Sequence, residues 1–301
     1  MEHSAPYAGS NRLRAGSMGR LRAWSGAIPV IVLLAIIYWQ PFRQMYVVWT
    51  LPDSYYSHGF LVPPICFYLV WLRRRQLRDT PACPSLWGYA FLGAAAALLL
   101  VGAFLGFAVL GQISLVPMLA GVVLVLLGTG HLGVVWFPIV FLFSMIPIPP
   151  SFTQSVALDL KLFATACAVW LARLAMLPVI HEGSFVYFRD DSLLIGEVCG
   201  GLRSLISMLA IGALMAYFSK AKTWARALTL AVSVPIAIVA NVFRIFLLCV
   251  VGYLWGSRTA GGIFHDVSGI LMFALAFLLF FTLEGFFRKV APVGTTKEKS
   301  S

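Results

Sequence analysis

Three short segments of the chain place a thiol, a guanidinium and an imidazole beside long apolar sequences. Cys199 stands in GEVCGGLRS, Arg244 in ANVFRI and His265 in FHDVSG. A cysteine nucleophile needs a proton acceptor and a group that stabilises the oxyanion of a tetrahedral intermediate. Histidine and arginine supply these two functions. The three residue types together therefore predict acyl transfer through a thioester on Cys199.

The surroundings of Cys199 favour a reactive thiol. Cys199 directly precedes two glycines and the apolar run LISMLAIGALMAYF. The positive end of a helix dipole at this point favours the thiolate, and paired glycines leave room for a substrate backbone. Arg203, four residues on, shares the helix face and adds positive charge. The alternative interpretation is an inert interfacial cysteine beside an anchoring arginine.

Arg244 lies within an apolar run, with ten residues between it and the end of that run. At 1.5 Å per residue this places the arginine about 15 Å from the edge of the run. A cation at such depth costs at least a few kcal/mol and marks a functional site by default. Asn241 lies one turn earlier on the same face. An arginine paired with backbone carbonyls is the alternative.

Two histidines complete the set of candidate residues. His265 begins the last apolar run, and His58 stands in the earlier segment YYSHGFLVPP. A lone histidine at a membrane interface is also an ordinary interfacial residue, and Asp266 points to another face of a helix than His265. We therefore treat Cys199, Arg244 and His265 as catalytic candidates. Arg203, Asn241 and His58 are the supporting candidates.

The composition shows what kind of molecule must position these residues. Of the 301 residues, 60% are hydrophobic and 11% are charged, and the mean hydropathy is +0.91. A soluble domain is about 45–50% apolar and about 25% charged. Because the apolar excess extends over the whole chain, it indicates repeated bilayer spans rather than one large core. The sequence predicts a polytopic membrane protein whose direct surroundings are lipid.

Charge and cysteine usage exclude other classes. The net charge is +11, but the basic residues cluster at the ends of apolar runs, which is the topology signal of membrane proteins. Nucleic acid is not a predicted partner, since no binding signature is present. No CxxC pair or Cys/His cluster suggests a metal, and we predict no cofactor. Cys66, Cys167 and Cys249 lie in apolar runs, where cysteines pack as small hydrophobes.

Nine apolar runs and the basic clusters predict the topology. The runs cover residues 24–39, 56–72, 87–107, 109–128, 132–149, 154–180, 200–219, 227–254 and 264–287. If all nine crossed the membrane, the basic cluster at 220–226 would lie outside, against the positive-inside rule. The run 154–180 alone contains Asp159, Lys161 and Arg173, and an interfacial helix tolerates such charges. We therefore predict about eight crossings, with both termini cytoplasmic.

The predicted fold is an all-α polytopic transmembrane bundle with one interfacial helix and a short outer-side β-hairpin. Residues 1–23 form a cytoplasmic basic segment, 24–289 the membrane domain, and 290–301 a disordered cytoplasmic tail. The loop 150–199 lies outside, and its β-prone runs 184–188 and 192–198 form the hairpin. In this topology Cys199 and His265 lie on the outer side of the membrane.

The motifs together resemble the exosortase/archaeosortase family of polytopic membrane transpeptidases. EVCGGLRSL, ANVFRI, FHDVSG, YSHGFLVPP and PIPP carry the resemblance, which covers most of residues 50–285. It implies cleavage of exported proteins at a C-terminal sorting signal that consists of a Pro-Glu-Pro-like motif, a span and a basic tail. It also implies Cys199 as nucleophile, Arg244 as stabilising cation and His265 as third catalytic residue. The acyl acceptor is then water, or an amine on a lipid or glycan.

The resemblance also bears on location and subgroup. Archaeal relatives typically have arginine at the third position, so His265 indicates the bacterial branch and hence the bacterial inner membrane. The family often has Cys-Ser-Gly where this chain has Cys199-Gly200-Gly201. The subgroup is therefore open.

Two other functions remain as alternatives. Buried Arg244 and Asn241 also suit the substrate path of a transporter or flippase for an envelope lipid or glycan precursor. Against this function, the sequence shows no inverted repeat and no paired broken helices. A non-catalytic membrane scaffold is the third possibility. Cys199 discriminates between them, because an enzyme needs its sulfur whereas a transporter or scaffold tolerates serine.

Overall fold

The computed structural model of the chain describes residues 28–52, 54–188, 191–196 and 201–290. Helices account for most of this part, because in hydrocarbon every backbone N–H and C=O must find a partner inside the chain. The helices are α1 Ile28–Ile37, α2 Trp39–Thr50, α3 Val62–Leu72, α4 Arg74–Asp79, α5 Trp87–Leu105, α6 Ala108–Ile113, α7 Leu115–Leu126, α8 Thr129–Phe141, α9 Pro150–Leu174, α10 Leu202–Phe218, α11 Thr223–Trp255, α12 Ser257–Gly261 and α13 Ile263–Val290. Two 3₁₀ helices, Ser57–Leu61 and Leu142–Met145, precede α3 and follow α8.

The lengths and hydropathies of the helices confirm an all-α membrane protein. Four of them are long and apolar enough to cross a bilayer: Trp87–Leu105, Ala108–Leu126, Pro150–Leu174 and Thr223–Trp255. α1 and α2 make a fifth candidate if this pair, bent by 61°, counts as one span. Shorter apolar helices cover four of the other predicted runs. The eight crossings stay a prediction.

α9 is the helix that we predict to lie on the membrane surface. With 25 residues and a hydropathy of 1.6, it is also long and apolar enough to cross. Its length and composition therefore do not distinguish a surface position from a crossing, and the surface position stays a prediction. The first predicted run differs more clearly from the structure. It was expected to end at residue 39, whereas the helical segment bends at Tyr38 and continues to Thr50.

A small antiparallel sheet confirms the predicted hairpin. β2, Phe185–Tyr187, pairs with β3, Ser192–Leu194, and places Val186 opposite Leu193. Both of these side chains are buried, so the alternating pattern of the two strands covers a core. β1, Ile180–Glu182, adds a third strand that the sequence analysis did not predict. Residues 197–198, at the end of the predicted second strand, lie outside the described residues. The predicted N-terminal segment 1–23 and most of the predicted tail also lie outside them, because residues 1–27 and 291–301 are not described.

α11 lies at the centre of the second half of the chain. It packs against α9, α10 and α13. Cys249 and Leu248 of α11 share a core with the sheet and α9, while Ile236 and Ala237 share another with α10 and α13. α11, which contains Asn241 and Arg244, therefore packs against α10 and α13, the helices that contain Arg203 and His265.

The first half has its own core, closed by specific hydrogen bonds. Tyr38 Oη lies 2.9 Å from Ser114 Oγ, at the break between α6 and α7. Trp49 Nε1 donates to the Met145 carbonyl at 2.9 Å. These contacts hold α2 against α7 and against the 3₁₀ helix Leu142–Met145.

Candidate active site

Asn241 and Arg244 lie one turn apart on the buried face of α11. Only 2% of Asn241 and 7% of Arg244 is exposed. α11 has 33 residues and is therefore about 50 Å long, so both side chains lie well inside the helix rather than near its ends. A charge at this depth needs partners supplied by the protein, because lipid offers none.

Ser268 of α13 is one partner of the arginine. Arg244 Nε donates to Ser268 Oγ at 3.2 Å, and Ser268 is almost completely buried. The next residue, Gly269, also approaches the guanidinium: a Cβ atom at this glycine would lie 3.6 Å from Arg244 Nη2. The buried guanidinium therefore lies directly against one turn of α13.

His265 occupies the preceding turn of α13. Residues three and four apart on a helix are neighbours on one face. His265 therefore shares the face of Ser268 and Gly269, the two positions that contact Arg244. The structure thus brings together the helix segments of two of the three catalytic candidates.

Gly201, at the start of α10, touches the other polar residue of α11. A Cβ atom at Gly201 would lie 2.7 Å from Asn241 Nδ2, so any other residue type would displace the Asn241 side chain. Gly201 also has φ +86°, a left-handed conformation that glycine adopts at little cost. We expected the glycine pair to make room for substrate. For Gly201 the structure gives another reason, the close approach of α10 to α11.

Cys199 lies outside the described residues, as does Gly200. Among the described residues, the structure therefore brings together Arg244 of α11 and the segment of α13 that begins with His265.

The supporting candidates lie in different places. Asn241 belongs to the cluster. Arg203 lies in the first turn of α10, two residues after Gly201, and its Nε and Nη2 atoms are buried. His58 lies elsewhere, in the 3₁₀ helix Ser57–Leu61, where its Nε2 atom is 3.1 Å from the Ser144 carbonyl oxygen. Within the described residues, His58 thus contacts the segment that follows α8 rather than Asn241 or Arg244.

The other cysteines occupy structural positions. Cys66 and Cys249 are buried, Cys167 is partly buried, and Cys83 is exposed. Cys66 donates to the Pro138 carbonyl at 3.2 Å, inside the core of the first half. Among the described residues, no group of three or more His, Cys, Asp or Glu side chains is arranged to hold a metal ion.

Ser268 and Gly269 are site residues that the sequence analysis did not single out. Both belong to the segment FHDVSG, in which the sequence predicted only His265 as a site residue. The available signal was their spacing, since a serine and a glycine three and four residues after His265 share its helix face. That this face meets Arg244 follows only from the packing of α11 on α13.

The comparison with known protein families agrees with the resemblance seen in the motifs. A family model described as transmembrane exosortase matches 235 of the 301 residues, from 48 to 282. No curated protein and no solved structure gives a significant match. The matched region includes the α10 start, Arg244 and the FHDVSG segment of α13. The chain therefore belongs to the transmembrane exosortase family.

Proposed function

We propose that this exosortase is a membrane cysteine transpeptidase or protease that cleaves a C-terminal sorting signal of exported proteins. Its site lies at the outer face of the bacterial inner membrane. The observation that carries the proposal is the burial of the Arg244 guanidinium against α13, one turn from His265. The approach of Gly201, at the start of α10, to Asn241 of α11 supports the proposal, because Cys199 precedes Gly201 by two positions in the sequence.

The reaction begins with attack of the Cys199 thiolate on a carbonyl carbon of the substrate. A C–S bond forms, and the carbonyl π electrons move to oxygen, which becomes an oxyanion. Collapse of this intermediate breaks the C–N bond, and the imidazolium of His265 gives its proton to the leaving amine. The released fragment carries the span and tail of the signal, and the other fragment remains as a thioester on Cys199. Water or an amine then attacks the thioester and restores the thiol.

Arg244 stabilises the oxyanion in this proposal. A preorganised donor in a water-excluded site changes the rate by about 10²–10³. The hydrogen bond from Nε to Ser268 Oγ restrains the plane of the guanidinium, so that little reorganisation is needed as the negative charge develops. A guanidinium also provides directed donors that an ammonium group lacks.

The positive-inside rule supports the orientation. Exposed basic residues follow α3, among them Arg74 and Arg75, and two exposed lysines, Lys220 and Lys222, lie between α10 and α11. If these regions are cytoplasmic, the start of α10, the end of α11 and the start of α13 are on the outer side. The proposed reaction then occurs where an exported protein emerges while its C-terminal span remains in the bilayer.

The proposal is tested with a reporter that carries a Pro-Glu-Pro-like motif, a span and a basic tail at its C-terminus. Its processing is followed by gel shift in cells that express the wild-type chain, Cys199→Ser or the matched control Cys167→Ser at equal membrane levels. We expect loss of processing in Cys199→Ser alone. Equal processing in all three would refute the thioester mechanism. Absence of processing in all three would reject this signal as substrate and favour transport of an envelope precursor.

A further inference from the structure

A lateral groove runs along α10 on the side away from α13. Its volume is about 630 Å³, within the roughly 300–1,000 Å³ that ligand pockets typically occupy. Phe137 and Phe141 of α8 form one wall, and Ile206, Ala213 and Tyr217 of α10 form the other. Ile206 and Tyr217 are eleven residues apart, so the groove extends for about 16 Å along the helix.

The groove is charged at one end. Arg226, in the first turns of α11, is the charged residue among the described residues of its lining. Its Nε atom donates to the Ala221 carbonyl at 3.0 Å, which restrains the guanidinium. Exposed Lys220 and Lys222 lie close by in the chain and add positive charge at this end.

A second arginine reaches the same end through Tyr217. Arg73 Nε donates to Tyr217 Oη at 3.2 Å, and its Cζ atom lies 5.6 Å from the centre of the tyrosine ring. The ring of Tyr217 also stacks on Phe137, at a centroid distance of 4.0 Å with an interplanar angle of 8°. Tyr217 thus connects a wall of the groove to a second arginine.

At the opposite end of the groove, the polar side-chain atoms make hydrogen bonds to the protein backbone. Tyr56 Oη accepts a hydrogen bond from the Ile148 N–H at 3.1 Å. Ser144 Oγ donates to the Phe141 carbonyl at 2.8 Å. The groove thus has a basic end and a long apolar remainder, which is the polarity of a lipid with an anionic headgroup.

We infer that the lateral groove binds one anionic glycerophospholipid, with its phosphate at Arg226 and an acyl chain between α8 and α10. Charge complementarity favours this occupant. A transmembrane helix would place its own cytoplasmic flank, which is typically basic, beside Arg226 and the lysines.

The experiment uses the full-length chain in phosphatidylcholine vesicles that contain 10 mol% of a photoactivatable phosphatidylglycerol with the reactive group near the end of one acyl chain. Crosslinks are mapped by mass spectrometry. We expect them on groove residues of α8 and α10, and about fivefold fewer in Arg226→Gln, since one arginine near the surface contributes about that factor. The matched control is Arg258→Gln, which changes an exposed arginine of α12, beyond the other end of α11, and should stay within twofold. Arg226→Lys should retain most of the yield.

A second variant tests the apolar part. Ala213→Phe fills the groove and should lower the yield of α10 crosslinks at least as strongly as Arg226→Gln. A melting temperature and an elution volume equal to those of wild type show that this variant is folded. The inference is wrong if photoactivatable phosphatidylcholine reacts equally well, if Arg258→Gln lowers the yield as much as Arg226→Gln, or if Ala213→Phe changes nothing. Crosslinking of the reporter's span to the groove in place of lipid would also overturn it and assign the groove to a helix. None of these outcomes depends on processing activity.

Discussion

Arg244 Nε and Ser268 Oγ lie 3.2 Å apart and join two helices whose contacting residues are 24 positions apart in the sequence. Both residues are buried, so the hydrogen bond operates away from water, where charged donors are strongest. The bond joins α11 to α13 at Ser268, one helical turn after His265 in the sequence.

Removing the guanidinium should abolish most of the processing. We expect Arg244→Ala to lower the rate of reporter cleavage by about 10²–10³, because it removes a preorganised donor. Arg244→Lys retains the positive charge but lacks the planar set of N–H donors of a guanidinium. Its cleavage rate should therefore lie between those of wild type and Arg244→Ala. Rates are measured in membranes at equal protein level, with Arg78→Ala, an exposed arginine of α4, as control. Wild-type rates for Arg244→Ala would exclude an oxyanion role.

Ser268→Ala tests the positioning of the guanidinium. The variant leaves Arg244 in place but removes the oxygen that accepts from Nε, so we expect about tenfold slower cleavage, equivalent to roughly 1.4 kcal/mol. Thr282→Ala removes a hydroxyl from an exposed part of the same helix and should have little effect. If both variants cleave at the wild-type rate, the Ser268 contact does not matter for the reaction.

Gly201→Ala should damage the junction between α10 and α11. The new Cβ atom would lie 2.7 Å from Asn241 Nδ2, and φ +86° costs a non-glycine residue about 1–2 kcal/mol. We expect a lower melting temperature and slower cleavage. Gly196→Ala is the matched control, because a Cβ atom there meets nothing within 4 Å. The double variant Gly201→Ala/Asn241→Ala lacks the side chain that the new Cβ atom meets. It should recover the loss of melting temperature that comes from this contact but not the loss that comes from the positive φ.

His58 provides a contrast between structural and catalytic roles. Its hydrogen bond to the Ser144 carbonyl connects the two 3₁₀ helices, so we expect His58→Phe to lower the free energy of unfolding by about 1 kcal/mol. Cleavage per folded molecule should stay close to wild type. Thermal unfolding and reporter cleavage are measured on the same preparations. Loss of cleavage at an unchanged melting temperature would instead place His58 in the reaction.

Asp191 makes the stability of the three-stranded sheet depend on pH. Hydrogen bonds from the Ser257 hydroxyl and from the backbone N–H groups of Ser257 and Ser192 lower the pKa of this carboxyl group below its ordinary value of 3.8. A lowered pKa stabilises the folded state above the unfolded-state pKa, and the contribution is lost as the pH falls through the folded-state pKa.

Asp191→Asn should therefore be less stable than wild type near neutral pH, and the difference should shrink below about pH 4, near the unfolded-state pKa of an aspartate. Melting temperatures between pH 3 and pH 7 measure this difference. Asp79→Asn, an exposed carboxylate of α4, serves as control. A difference between wild type and Asp191→Asn that stays constant over this range would contradict the assignment.

Much of the fold and of the candidate site could be predicted from the residues. The apolar runs predicted most of the long helices, because hydrocarbon leaves the backbone few other structures. The alternation in 184–188 and 192–198 predicted β2 and β3. The depth of Arg244 in its run predicted a buried cation, and the motifs indicated the family.

Helix rotation and the partners of the buried polar groups required the tertiary structure. Runs that are apolar on all sides do not reveal which face meets another helix and which meets lipid, since both environments are hydrophobic. The contact between Arg244 and Ser268, the approach of Gly201 to Asn241, and the separate location of His58 all depend on that rotation. β1 was missed for a related reason: a strand of three residues gains most of its stability from pairing with β2, which the local sequence does not show.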